Sequence, residues 1–189
     1  GKGTRTWASG REYVGEWAAG ERHGRGVWRH ARRDEVETWR AETPAFSASA
    51  IAEYDGEWRH GAMEGEGHLT YLVGSTYEGQ LSRGVYHGHG VLRTIDGREV
   101  EGTFVDGRAT GHATVLLASG ELYEGELLED ERHGRGRCVY ANGDVYEGEW
   151  QHGARHGARG RMVYARSGAY EGGWAVDAPE GEGELRMAD

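Results

Sequence analysis

Hydrophobic and polar residues alternate with a period of two in short segments along this chain. The segment Tyr-Glu-Gly-Glu-Trp at 146–150 places Tyr146, Gly148 and Trp150 on one side and its two glutamates on the other, because successive side chains of a β-strand point to opposite faces. The pattern predicts a strand with one aromatic face and one acidic face.

The same signature returns at seven places along the chain. The copies begin at Tyr13, Tyr54, Tyr77, Val100, Tyr123, Tyr146 and Tyr170. Four of the six intervals between these starts are 23 residues long, one is 24 and one is 41. A fixed period in this range is typical of repeat proteins, in which each unit buries its hydrophobic face against its neighbours. Residues 1–12 match the tail of a preceding repeat, so we expect this chain to be part of a longer array.

Each repeat is predicted to contain two strands. In the third repeat the first strand is Thr76 to Leu81, a turn covers Ser82 to Gly88, and the second strand runs from His89 to Ile95. The turns between repeats carry pairs such as Asp96-Gly97 and Asn142-Gly143, which favour two-residue hairpin turns with positive φ at both positions. The sequence therefore predicts an all-β fold, an elongated single-layer antiparallel meander of about seven stacked hairpins with a groove on one face.

The second strands add their own residues to the aromatic face. Two residues beyond the last glycine of each repeat stand Trp28, Leu69, Leu92, Val115, Cys138, Met162 and Leu185, which share the parity of that glycine. Glycines such as Gly148 are expected to leave space into which a neighbouring ring can lie. Because each large aromatic side chain buries roughly 150–250 Å², we expect the stacking of rings to be the main source of stability.

Three places depart from the regular pattern. An insertion of 18 residues, about Ala31 to Ser49, separates the first two repeats, and the spacing of Val36 and Trp39 within it allows a short helix. The fourth repeat has Val100, Phe104, Thr110 and Ala113 where others have Tyr, Trp, His and Gly. One extra residue at Ala158-Arg159 indicates a longer turn or a β-bulge.

Composition narrows the class of protein. Thirty-four glycines with only two prolines, together with 10% aromatic residues, indicate many tight hairpins rather than a flexible linker. The net charge of −10 argues against a nucleic-acid partner. The single cysteine, Cys138, cannot form an internal disulfide, so we expect a reducing, cytoplasmic environment.

The repeated Tyr-x-Gly-x-Trp, followed by His-Gly-x-Gly at a 23-residue period, resembles the MORN repeat family, and the resemblance covers nearly the whole chain apart from the insertion. It implies stacked hairpins and a non-enzymatic role as a scaffold or docking module, often in cytoskeletal, ciliary or flagellar assemblies and sometimes as a dimer. Asp130 and Asp177 stand where this family has glycine, and aspartate tolerates the left-handed backbone that the turn needs.

The aromatic face is the first candidate binding surface. We expect it to form a groove that holds a helix or an extended segment of a protein partner, or a second copy of the chain, since flat rigid rings are enriched at interface hot spots. The residues predicted to line this groove are Tyr13, Trp17, Tyr54, Trp58, Tyr71, Tyr140, Tyr146, Trp150, Tyr164, Tyr170 and Trp174. The alternative is that the rings fill only each other.

A group of arginines is the second candidate surface. Arg132, Arg135, Arg137, Arg155, Arg159 and Arg161 lie in equivalent stretches of adjacent repeats and are predicted to form one patch along an edge. Such a patch could bind an acidic protein or, as the alternative function, the anionic head groups of a membrane. The net charge of the chain favours the acidic protein.

No motif indicates an enzyme, a cofactor or a metal site. His23, His87, His133 and His156 occupy one column of the repeat, which spaces them about 10 Å apart, too far to share a metal ion. The Gly-x-Gly motifs do not open a helix after a buried strand, as a phosphate-binding loop requires. Cys138 stands in a predicted core column, where a buried, unreactive thiol is expected.

Overall fold

The computed structural model describes residues 1–30 and 51–188. Fifteen β-strands lie within these residues, and no helix does, so the predicted all-β fold of hairpin repeats is confirmed. The chain divides into two compact units, Gly1–Ile95 and Asp96–Asp189. The insertion and the short helix predicted within it fall outside the described residues.

The first unit is an antiparallel meander in which each strand pairs with the next along the chain. Its strands are β1 (Lys2–Thr6), β2 (Arg11–Ala18), β3 (Glu21–His30), β4 (Ile51–Arg59), β5 (Ala62–Tyr71), β6 (Thr76–Ser82) and β7 (Val85–Arg93). Strands β3 and β4 pair with Gly26 opposite Gly56, so the sheet continues directly across the insertion. This is expected because closing a longer loop adds little entropic cost.

The second unit follows the same plan. Its strands are β8 (Glu99–Val105), β9 (Arg108–Leu116), β10 (Leu122–Leu128), β11 (Glu131–Val139), β12 (Val145–Gln151), β13 (Ala154–Tyr164), β14 (Gly168–Ala175) and β15 (Ala178–Met187). The second strands were predicted to place residues such as Cys138 and Met162 on the aromatic face. This is confirmed, because Tyr123 pairs with Cys138 and Tyr146 with Met162.

The turn inside each repeat is shorter than predicted. In the third repeat only Arg83 and Gly84 form the turn, with φ of 50° and 81°, and β7 already begins at Val85. The His-Gly-x-Gly motif therefore lies within the second strand, where Gly88 has a φ of 60° next to a shift in the strand register. The prediction of a long turn from Ser82 to Gly88 was wrong because a glycine in a β-bulge leaves the same signal as a glycine in a turn.

The turns between repeats are also of a different kind. At 140–144 the N–H of Gly143 donates to the carbonyl of Tyr140 (2.9 Å) and the N–H of Tyr140 donates to Asp144 (2.8 Å), while Gly143 has a φ of 88° and Asn142 is not in the left-handed region. This is a three-residue loop that ends in a left-handed glycine. The predicted turn with two positive φ values is found inside the repeats instead.

The core consists of tyrosine rings that lie over pairs of facing glycines. Gly125 pairs with Gly136 across β10 and β11, and a methyl group at Gly136 would lie 2.4 Å from the hydroxyl oxygen of Tyr123. The Tyr123 hydroxyl donates to the carbonyl of Glu126 (2.7 Å), and its side chain is fully buried. The space predicted at the glycines exists, and the tyrosine of the same repeat fills it.

The fourth repeat shows the same principle with other residues. Val100 replaces the tyrosine, and Ala113 replaces the glycine that pairs with Gly102. Both Val100 and Ala113 are buried, at 1% and 2% exposure. In the other repeats a tyrosine ring lies over the glycine at this position and leaves no room for a side chain. Here Val100 is smaller, and the methyl group of Ala113 takes part of that space. The hairpin keeps the regular antiparallel pairing of its neighbours.

The extra residue of the sixth repeat is accommodated in β13. The pairing of this strand shifts between Gly157 and Gly160, which resolves the predicted alternatives in favour of a β-bulge.

A double-mutant cycle can test the ring-over-glycine core. Gly136→Ala should lower the free energy of unfolding by about 1–3 kcal/mol, because the new methyl group overlaps a buried ring. In the background of Tyr123→Val, which reproduces the fourth repeat, the same change should cost less by at least about 1 kcal/mol. Urea-induced unfolding measures all four proteins. Additive effects, within about 0.5 kcal/mol, would contradict the proposed packing.

The buried tyrosines also predict a loss of stability at alkaline pH. Burial raises the pKa of Tyr123 and Tyr146 to about 12, from the ordinary value of 10. The folded protein therefore holds these protons more tightly than the unfolded chain, so stability should be complete below pH 10 and should fall between about pH 10 and 12.

Urea unfolding at several alkaline pH values measures this loss. The double variant Tyr123→Phe and Tyr146→Phe should show a shallower decline than the unmodified protein, although it lacks two hydrogen bonds at neutral pH. An equally steep decline in both proteins would assign the effect to other groups.

Candidate interaction surface

The aromatic face of each unit contains a row of alternating tyrosine and tryptophan rings. In the second unit Tyr146 lies between Trp150 of its own repeat and Trp174 of the next, with ring centroids 5.1 and 5.2 Å apart and nearly perpendicular planes. In the first unit Tyr13 lies between Trp17 and Trp58 in the same manner, at 5.1 and 5.3 Å. Edge-to-face contacts of this kind stabilise aromatic pairs beyond the area that they bury.

Each tryptophan of these rows also joins its repeat to the preceding segment through a hydrogen bond. The indole N–H of Trp58 donates to the carbonyl of Gly26 (2.9 Å), and that of Trp150 donates to Gly136 (3.1 Å). The acceptors are glycines beneath the tyrosine of the preceding repeat. Each of these tryptophans therefore links adjacent hairpins twice, by its ring contact with a tyrosine and by its hydrogen bond to a glycine carbonyl.

The structure divides the eleven predicted groove residues into two groups. Six are buried in the core, with exposures of 0–3%: Tyr13, Tyr54, Trp58, Tyr146, Trp150 and Trp174. Five are partly exposed: Trp17, Tyr71, Tyr140, Tyr164 and Tyr170. The buried group has almost no surface to offer a partner, because these rings fill each other's space. The candidate surface on this face is therefore formed by the second group.

Three arginines cover the tryptophans from the solvent side, which sequence reasoning missed. The guanidinium carbon of Arg22 lies 4.1 Å from the ring centroid of Trp58, that of Arg132 lies 5.0 Å from Trp150, and that of Arg155 lies 4.5 Å from Trp174. Cations over aromatic faces are attracted by the ring quadrupole.

The signal for these stacks was present in the sequence. Three repeats have an arginine directly before their His-Gly pair, at Arg22, Arg132 and Arg155. In each case the repeat that follows has a tryptophan in its first strand. Where the next repeat has Leu81 or Leu127, the same position holds Met63 or Ala109. Comparing neighbouring repeats, rather than searching one repeat for a motif, would have revealed the pairing.

Acidic side chains neutralise two of these arginines. Arg132 forms an ion pair with Glu121, and Arg155 pairs with Asp177 through Nε and Oδ1 at 2.9 Å. Asp177 has a φ of 66°, and its carboxylate also accepts the backbone N–H of Arg155 (3.0 Å). Asp130 likewise takes positive φ and accepts the N–H of Ala109 (2.9 Å). Both aspartates keep the predicted turn and add a bond that glycine cannot make.

The six arginines of the predicted basic patch are not brought together. Arg132 and Arg155 lie on the aromatic face, opposite Leu127 and Trp150 in the strand register. The others lie on the acidic face: Arg135, Arg137, Arg159 and Arg161. The prediction of one basic edge was wrong for two reasons. Side chains alternate between the faces along β11, and the bulge in β13 puts Arg155 and Arg161 on opposite faces although they stand six residues apart.

On the acidic face the arginines alternate with glutamates. Arg137 and Arg161 both pair in register with Glu147, and Arg135 pairs with Glu149. These residues line an open depression of about 530 Å³ in the second unit. Opposite charges facing each other across strands stabilise a sheet modestly, so this surface is adequately explained as a solvated ladder of mixed charge.

Cys138 is fully buried, as its column predicts. Burial raises the pKa of its thiol to about 11, which keeps the sulfur protonated and unreactive at neutral pH. Within residues 1–30 and 51–188 no group of three or more His, Cys, Asp or Glu side chains is placed to hold a metal ion. The described residues also include no helix long and apolar enough to cross a membrane.

Comparison with known proteins agrees with the geometry. The family model for the MORN repeat matches eight segments, which together make up most of the chain: residues 1–10, 13–32, 54–76, 77–97, 101–121, 123–145, 146–158 and 170–189. No curated protein matches the chain significantly. The matched segments contain the tyrosines and tryptophans of the aromatic rows. The chain therefore belongs to the MORN repeat family.

Proposed function

We propose that this chain is a non-enzymatic interaction module that holds a helix or an extended segment of a protein partner on its aromatic face. MORN repeats are in general modules that interact with proteins or membranes, and they are typically not enzymes. The proposal selects the protein partner and assigns it to one face of the sheet.

One observation carries the proposal. Every strand of each unit lies in a single sheet, and no second layer built from residues 1–30 and 51–188 covers the aromatic face. A sheet with one apolar face is ordinarily completed by a further layer. Tyr140 and Tyr164, which hold the same position in adjacent repeats, are both partly exposed on this face, and a partner segment would supply the missing contacts.

The surface is also rigid, which favours affinity. Two of the partly exposed rings, Trp17 and Tyr170, are held in the aromatic row by edge-to-face contacts, and Arg155 is held between Trp174 and Asp177. Side chains ordered before binding lose little entropy when a partner arrives. Tyrosine and arginine are among the residue types that dominate interface energies.

We further propose that the partner belongs to a cytoskeletal, ciliary or flagellar assembly in the cytoplasm. This part rests on the family resemblance and on the single buried cysteine. A second copy of the chain is another occupant of the same face, and a partner-free measurement of molar mass distinguishes it.

Membrane contact through basic turns has less support. The six arginines of the predicted basic patch divide between the two faces. Three of them already form an ion pair with a carboxylate: Arg132, Arg137 and Arg155. The chain as a whole carries a charge of −10, which opposes its approach to an anionic bilayer.

Site-specific crosslinking tests which face holds the partner. Tyr164 and, in a matched protein, Glu147 on the acidic face are each replaced by the photo-crosslinking residue benzoylphenylalanine. The same protein should be captured at position 164 and not at 147, and the double variant Tyr140→Ser and Tyr164→Ser should weaken its binding by at least about tenfold. Glu147→Gln with Glu171→Gln is the control.

Equal capture from both faces, or unchanged affinity in a folded tyrosine variant, would overturn the proposed docking face. The earlier candidates Trp150 and Trp174 do not suit this test, because their burial at 3% exposure makes their loss a change in folding.

A further inference from the structure

We propose that the first repeat carries a basic aromatic pocket that binds an acidic, extended peptide segment. The inference deepens the proposed function, since it names a second contact on the aromatic face and the charge of the ligand. It concerns residues of the first unit alone, and its test uses side chains that the tyrosine variants above do not touch.

The pocket is a depression of about 390 Å³ on the aromatic face of β1, β2 and β3. Three arginines and three tryptophans line it: Arg5, Arg11, Arg22, Trp7, Trp17 and Trp28. The strand register accounts for their common face, because Tyr13 of β2 pairs with Arg5 on one side and Trp28 on the other, and Trp17 pairs with Arg22.

The position of Arg5 is unusual for this fold. Gly3 pairs with Gly15 as Gly26 pairs with Gly56, so Arg5 stands where the other repeats have core residues such as Leu69 and Met162. Its side chain is exposed and stacks over Trp7 at 5.0 Å. It forms no ion pair in the part of the chain that the structure describes. On β1 this column is open to solvent, as it is at Leu185 of β15, so Arg5 presents an accessible guanidinium group.

Arg22 of the first repeat also lacks the carboxylates that neutralise the equivalent arginines, Arg132 and Arg155, in other repeats. Two residues before the repeat tyrosine, the fifth repeat has Glu121, the ion-pair partner of Arg132. The first repeat has Arg11 at that place. The position that neutralises Arg132 in the fifth repeat therefore carries a second positive charge, Arg11, beside Arg22 in the first.

The second acidic partner is missing as well. In the sixth repeat Arg155 is paired with Asp177 from the turn of the next repeat, and the corresponding turn residue for Arg22 is Gly61. Gly61 accepts a hydrogen bond from Arg22 through its carbonyl at 2.6 Å but brings no charge. Glu21 is the only carboxylate among the described lining residues, and it lies 3.5 Å from the ring of His60.

The ligand follows from this chemistry. Guanidinium groups bind carboxylates and phosphates through paired hydrogen bonds, and tryptophan rings provide flat surfaces for apolar or aromatic groups. Arg11 and Trp17 stand six residues apart on β2, about 20 Å along a strand. A segment with several acidic residues spans that distance, whereas one small anion does not.

Fluorescence anisotropy with a labelled peptide tests the proposal on the chain of residues 1–189. The probe is Glu-Glu-Tyr-Glu-Glu-Tyr-Glu-Glu, and its controls carry glutamine for glutamate, with and without phosphate on the tyrosines. We expect the glutamate or the phosphorylated peptide to bind with an affinity that falls as salt is raised. The uncharged peptide should bind at least about tenfold more weakly. Which charged peptide binds better identifies carboxylate or phosphate as the preferred group.

Arg11→Glu is the decisive variant. It reproduces the arrangement of Glu121 and Arg132 in the fifth repeat, so the fold should tolerate it, and it should weaken peptide binding at least about tenfold. Arg25→Glu is the matched control: it changes the net charge equally but lies on the acidic face, opposite Glu57. Arg5→Gln provides a second exposed change within the pocket, with a smaller loss expected.

Three results would overturn the inference: unchanged binding in Arg11→Glu and Arg5→Gln, an equal loss in Arg25→Glu, or binding to anionic phospholipid vesicles with none to either charged peptide. If Arg11→Glu loses binding of the acidic peptide while the variant Tyr140→Ser and Tyr164→Ser binds that peptide fully, the result supports this pocket and leaves the docking face at Tyr140 and Tyr164 to its own test. The two proposals therefore fail separately.

Discussion

The packing of a tyrosine ring over two facing glycines is the interaction on which the rest of this structure depends. Glycine in the interior of a strand is ordinarily destabilising, because it loses the most backbone freedom and offers no side chain to pack. Here the missing side chains make room for a ring. Tyr123 is fully buried over Gly125 and Gly136, and its hydroxyl finds a backbone acceptor. A thin sheet thereby buries its central rings by itself, while Tyr140 and Tyr164 near the strand ends stay partly exposed.

The same constraint explains why residues vary in linked sets between repeats. Where the tyrosine becomes Val100, the facing glycine becomes Ala113. Where the next repeat has a tryptophan, an arginine stacks over it, as Arg22 does over Trp58. The turn residue Asp177 replaces glycine and also holds the backbone and side chain of Arg155. Each substitution is tolerated because a neighbouring position changes with it, which is expected for residues in direct contact.

Strand faces could be predicted within each regular segment, because side-chain direction there follows a period of two. The bulge in β13 breaks that period, so the faces of Arg155 and Arg161 could not be predicted in this way. The 23-residue period likewise located the repeats, and the column of Cys138 was correctly assigned to the core. Turn types could not be read in the same way. Gly88 in a bulge, Gly84 in a hairpin turn and Gly143 after a three-residue loop all take positive φ, and glycine alone does not tell them apart. The arginine stacks and the burial of rings such as Trp150 depend on contacts between repeats, which a motif within one repeat does not contain.

The burial of the aromatic row changes which residues can carry specificity. Tyr146 and Trp150 are common to the hairpin core and nearly inaccessible, so they can define the fold but hardly distinguish partners. The positions around them also differ from repeat to repeat, whereas core residues change in linked sets such as Val100 with Ala113. Where the fifth repeat neutralises Arg132 with Glu121, the first has Arg11. Because such positions are exposed or half-buried, a change in charge there costs little stability. One uniform scaffold can thus present a neutral surface at one repeat and a positive one at another.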